Sequence, residues 1–141
     1  MRLAALLATA LLILGGCADG TRTEPGATVQ QVRVFADESL REAFDQIGTL
    51  FEQQHPQSEV LLSYGAGIDL ARRIAGGESA EVLVTDDPSA MATVGAAERA
   101  ETLAGGRLSV AALAPAGEPF VTFVKEGAAQ RVLTDTGILR P

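Results

Sequence analysis

Two hydrophobic periods take turns along the chain. In "QVRVFA", Gln31 to Ala36, apolar Val32, Val34 and Ala36 recur at every second position, the period of a strand. From about Ser39 to Gln54 the spacing changes. Leu40, Phe44, Ile47 and Phe51 follow at steps of four, three and four, the single apolar stripe of a helix. "HPQS" stops it, because Pro56 lacks the amide a helix needs. "EVLLSY", Glu59 to Tyr64, predicts a second strand, and "GAG" turns it into a short helix with Leu70, Ala71 and Ile74 inward. Gly76 and Gly77 end that helix. "EVLVT", Glu81 to Thr85, is a third strand, followed by a helix from about Pro88, a favoured first-turn residue. "RLSVAAL", Arg107 to Leu113, is the fourth. One closing helix is expected from Glu118 to Asp135, with Val121, Val124, Ala128 and Val132 on one side and Gly137 as its C-terminal cap.

Strands that alternate with crossover-length helices predict an α/β fold: a mostly parallel sheet with helices on both faces. Ligands of such sheets sit beyond the carboxyl ends of the strands, against helix N-termini. "VFADESLREAF", Val34 to Phe44, lies there. Ser39, or Asp37 before it, has the position of a helix N-cap, a role worth about 1 kcal/mol. Alternatively, Ser39 and the free amides behind it hold an anion. The "YGAG" turn brings a second set of amides to the same edge.

The ends of the chain read differently. Met1 and Arg2 precede "LAALLATALLIL", an apolar run too short to span a bilayer stably, and the layout of 1–16 is that of a secretory signal peptide. Leu14-Gly15-Gly16-Cys17 resembles a bacterial lipobox, which implies cleavage before Cys17 and lipid attachment to it. Cys17 is the single cysteine, so no internal disulfide forms. Residues 17–30 are polar, contain Gly and Pro, and read as a flexible tether; 31–141 are the folded lobe. The expected location is outside the cell membrane, held by lipid. A formal net charge of −7, with Lys125 the single lysine, argues against a nucleic-acid partner.

The stretch from Val34 to Met91 resembles the molybdate-binding proteins of bacterial ABC transporters. "VFADESL", "AFDQIGTLFEQQHP", "GAGIDLARRI" and "SAEVLVTDD" stand in the order of that family's motifs, and "EPFVTFVKEGAAQRVLTDTGILRP" resembles its closing helix and ending. The resemblance implies one lobe of a type II periplasmic binding protein. It also implies a role in delivering molybdate, or a related oxyanion such as tungstate or sulfate, to a transporter permease. The family has a second lobe built from the middle of the chain. Here "GGRLSVAALAPAG" joins the two parts of the first lobe directly, so the second lobe is absent near 107–117. The face it would cover is then free for a protein partner or a homodimer.

Carried over by residue, Ser39 matches the family's ligand serine, with the amides of Ser39 and Leu40 beside it. Gly67 stands where the family has another serine, so the amides of Gly67 and Ile68 remain without that hydroxyl. Asp37, Glu38 and Asp86 replace alanines, and Asp87 keeps the family's aspartate. At ~4–6 Å each like charge costs a bound dianion about 1 kcal/mol or more. These acids therefore favour a self-capped helix end, since carboxylates suit a helix N-terminus. Four carboxylates could also take a hard cation, although acids on a loop rim are more commonly just solvated. No enzyme is expected: His55 is the lone histidine, in a turn, and no phosphate-loop or dinucleotide-binding glycine pattern occurs. Two classes of function follow: an oxyanion-binding transport component, or a ligand-free lipoprotein that acts through protein contacts.

Overall fold

The structure is a computed structural model that describes residues 28–139. The signal peptide, Cys17 and most of the expected tether lie outside these residues, as do Arg140 and Pro141.

Strand β1, Gln30–Asp37, sits inside the sheet and presents a different hydrophobic set to each face. A 3-10 turn, Glu38–Leu40, leads into helix α1, Arg41–Gln54. Leu40, Phe44, Ile47 and Phe51 are all buried, as their spacing requires. Strand β2, Ser58–Gly65, and helix α2, Gly67–Ala75, follow. Gly77, at φ +107°, carries the chain out of α2 in a conformation that favours glycine. Strand β3, Val82–Thr85, is buried throughout and feeds helix α3, Pro88–Thr93.

Beyond α3 the structure departs from the expected pattern. A short strand β4, Glu101–Leu103, precedes β5, Leu108–Ala112, and the two pair antiparallel. Ala104, Gly105 and Gly106 all have positive φ in the turn between them, which closes a hairpin. The closing helix is two helices: α4, Glu118–Val124, and α5, Gly127–Asp135, separated at Lys125 and Glu126. The inward residues are nonetheless those expected, with Val121, Val124 and Val132 buried and Ala128 packed on the same core.

The sheet order is β2-β1-β3-β5-β4. β1 pairs parallel with β2 over its whole length and parallel with β3, whereas β3–β5 and β5–β4 are antiparallel. The α/β class with helices on both faces therefore holds, and the longest pairing is parallel. The fourth expected strand, however, runs the other way, because it returns from a hairpin rather than a helical crossover.

Each face has its own core. On one, Val32, Val34 and Ala36 of β1 meet α1, α4 and α5. Phe51 is the hub there, edge-on to Phe120 at 5.2 Å and to Phe123 at 5.5 Å. His55 stacks on Phe51 at 4.1 Å, so the lone histidine packs rather than faces solvent freely. On the other face, Phe35 and Leu83 meet Leu70 and Ala71 of α2 and Ala90 and Met91 of α3. α1 and α2 thus leave the sheet on opposite sides, which places the ends of β1 and β3 at the point where the connections diverge.

Candidate functional site

At the carboxyl edge of the sheet, an open depression of about 410 Å³ is lined by Asp37, Glu38, Ser39, Gly65 to Ile68, Asp86 and Asp87. The turns after β1, β2 and β3 all reach it. Three of the four expected ligand residues, Ser39, Gly67 and Ile68, therefore share one site. Leu40 does not line it, since its side chain is turned into the core, 2 % exposed. Its backbone follows Ser39 in the same 3-10 turn. In α2 the first helix-starting bonds run from Asp69 N and Leu70 N to Ala66 O, which leaves the Gly67 and Ile68 amides ahead of them at the positive end of the helix.

The expected cap is not formed. Neither Ser39 nor Asp37 accepts a side-chain cap bond at the 3-10 turn or at α1. The 3-10 turn places Ser39 within the first turn rather than before it, and its side chain is exposed. The self-capped helix end is thus replaced by a different arrangement of the acids.

Each acid has its own fate. Glu38 accepts two bonds from Arg41, at 2.8 and 2.9 Å, and this pairing holds its carboxyl below the usual range. The Arg41 guanidinium also lies 4.4 Å from the centre of the Tyr64 ring, whose hydroxyl donates to Asp45 at 2.6 Å. Asp87 caps α3, accepting from Ser89 N at 2.9 Å and Ser89 Oγ at 2.6 Å, which pulls its carboxyl down. Asp86 is exposed.

Asp37 turns inward. It is 6 % exposed, and its Oδ2 accepts the Asp86 amide at 2.7 Å. Burial pushes its carboxyl up, the Asp86 amide and the Thr85 hydroxyl pull it down, and the Asp86 carboxylate adds to the rise. Thr85, fully buried, accepts the Asp87 amide on its hydroxyl at 3.0 Å. Gly67 packs against this pair. A Cβ at that position would overlap the Thr85 hydroxyl and lie 2.8 Å from Asp37 Oδ1. The resemblance to the molybdate-binding proteins put Gly67 where that pattern has a serine. The structure adds the reason: Asp37 and Thr85 fill the space a side chain would need.

Two participants escaped the sequence reading. Thr85 looked like an ordinary strand end; the signal was its place at the same sheet edge as Asp37. Arg41 closes the run "DESLR", three residues after Glu38 and so spaced to pair with it. The four acids do not combine into a cation site: among the described residues no cluster of three or more metal-ligating side chains occurs.

Comparison with known proteins gives the family of the chain. No curated protein sequence matches the chain. Among solved structures, one described as the substrate-binding domain of a molybdenum ABC transporter from Clostridium difficile aligns with 20 % identity and a TM-score of 0.44, over 46 % of this chain and 28 % of that one. The sulfate-binding protein SubI from Mycobacterium tuberculosis H37Rv aligns with 21 % identity and a TM-score of 0.44, over 49 % of this chain and 25 % of that one. The matched part thus spans little more than a quarter of those chains at most. The sequence profile of the bacterial extracellular solute-binding proteins matches residues 32–119, more than half of the chain and all of the strands that build the depression. The chain belongs to the bacterial extracellular solute-binding protein family.

Proposed function

We propose that the chain is the solute-binding component of an ABC transporter for a small oxyanion, molybdate or a relative such as tungstate or sulfate. One observation carries this: the turn that holds Ser39 and Leu40 and the start of α2 at Gly67 and Ile68 open onto one depression at the carboxyl edge of the sheet. Backbone amides there suit an anion without demanding a basic side chain. Ser39 adds an exposed hydroxyl, and the captured solute passes to the permease. Cys17 carries the lipid that keeps the folded lobe, 31–141, at the membrane on a tether, and a second lobe is lacking near 107–117.

The test is calorimetric titration of the full chain, in detergent, with molybdate, tungstate and sulfate. Binding that weakens about tenfold or more in Ser39→Ala supports the site. Binding unchanged in that variant moves the anion elsewhere. For the anchor, Cys17→Ser is expected to shift the protein from the membrane to the soluble fraction on cell fractionation; retention at the membrane would refute lipid attachment at Cys17.

A second reading has one observation in its favour, the Asp37 carboxylate inside the depression. On that reading the chain binds no solute and works through a protein partner. A folded chain silent to all three anions, whatever the state of residue 37, would select it.

A further inference from the structure

In the order β2-β1-β3, the connection after β1 packs α1 on one face and the connection after β3 packs α3 on the other. Between two such diverging connections an open sheet has its natural ligand crevice. Here the crevice is occupied by the chain itself. Asp37, the last residue of β1, reaches across to β3 and takes the Asp86 amide at 2.7 Å. Its other oxygen faces the backbone of Gly67, and buried Thr85 closes the remaining side. A strand-end amide, a hydroxyl and the amide-bearing start of α2 are the partners an oxyanion would seek there.

We propose that Asp37 is the affinity-limiting residue of the depression: a tethered anion that competes with fully ionised oxyanions for the crevice between β1 and β3. The inference rests on the oxyanion reading above. A carboxylate is an acceptor only, so an oxyanion with no proton to share finds no bond to it, and the two charges repel. Burial sharpens the effect, because the repulsion is poorly screened there. Two of the other acids are held locally, Glu38 by Arg41 and Asp87 by Ser89, whereas exposed Asp86 lies beside Asp37 and adds its charge there. The glycine at position 67 fits the same account. Only glycine leaves room for the Asp37 carboxylate and the Thr85 hydroxyl together.

Two variants separate charge from occupancy. Asp37→Asn keeps the shape and an acceptor for the Asp86 amide; Asp37→Ala empties the crevice. The full chain and both variants are titrated with molybdate and with sulfate, and folding is checked by circular dichroism. The expected result is an affinity at least tenfold higher in Asp37→Ala and at least threefold higher in Asp37→Asn than in the parent. In addition, the Asp86 amide resonance should move on adding molybdate to Asp37→Ala and stay still in the parent, a response that a purely structural role for Asp37 would not produce. If Asp37→Ala fails to fold, the threefold gain in Asp37→Asn decides. A parent that binds as tightly as its folded variants overturns the role of Asp37 and leaves the oxyanion site standing. Folded parent and variants that all ignore both anions overturn the oxyanion reading and, with it, this inference.

Discussion

Asp37 shows how one side chain changes the meaning of a motif. Burial raises its carboxyl, so the folded chain holds that proton to higher pH than the unfolded chain does. Between the ordinary carboxylate range and the raised value, the folded state binds more protons, and stability falls as pH rises. Above the raised value the whole cost persists. Asp37→Asn removes it. The variant's stability relative to the parent should be greatest at neutral pH and shrink toward about pH 4, the ordinary aspartate range. Urea unfolding at the two pH values measures this, and a difference that grows in acid would contradict it. Glu38 and Asp87 act with the opposite sign, since their lowered carboxyls lose their stabilising bonds in acid, but they cancel in the comparison of variant with parent. Gly67 gives a second prediction at this scale. Gly67→Ser should cost about 1–3 kcal/mol by overpacking against Thr85 and Asp37. Urea melts that show no loss would mean that the two side chains rotate away freely.

At the scale of elements, periodicity served best where a long apolar stripe met one layer. The stripe of α1 predicted its buried face residue by residue, and the three-four spacing leaves no other face to bury. Phe51→Ala should cost about 3–5 kcal/mol, since Phe120, Phe123 and His55 all pack on that ring. A chemical melt would show it, and a loss under 1 kcal/mol would mean that the core refills. The closing segment was less legible. Apolar spacing runs through Lys125 and Glu126 without a break, yet the helix stops there and restarts. The Lys125 and Glu126 amides bond back to Thr122 and Phe123, and Lys125 pairs with Glu101 of β4. A partner on another strand, distant in sequence, leaves no trace in the local pattern. β4 escaped for a related reason: with three residues, one of them buried, it shows no period, and only "AGG" hinted at the hairpin.

For the molecule as a whole, the two cores share one sheet, and every helix from α1 to α5 rests on it. The described residues should therefore unfold in one cooperative step. Tyr64 fluorescence and far-ultraviolet circular dichroism, followed in urea, should give coincident transitions. Separate transitions would divide the two faces into independent units. Local propensity, stripe and punctuation were enough to determine the strand-helix alternation from β1 to α3, the inward residues of its long stripes, and the edge of the sheet at which Ser39, Gly67 and Ile68 gather. These follow from interactions within a few residues of one another. Only the tertiary structure decided the direction of β5, the inward turn of Asp37 and the filling of the space beside Gly67. Each depends on groups about twenty to fifty residues apart meeting at one point, and no local pattern encodes which of two nearby carboxylates finds a buried amide and which finds an arginine.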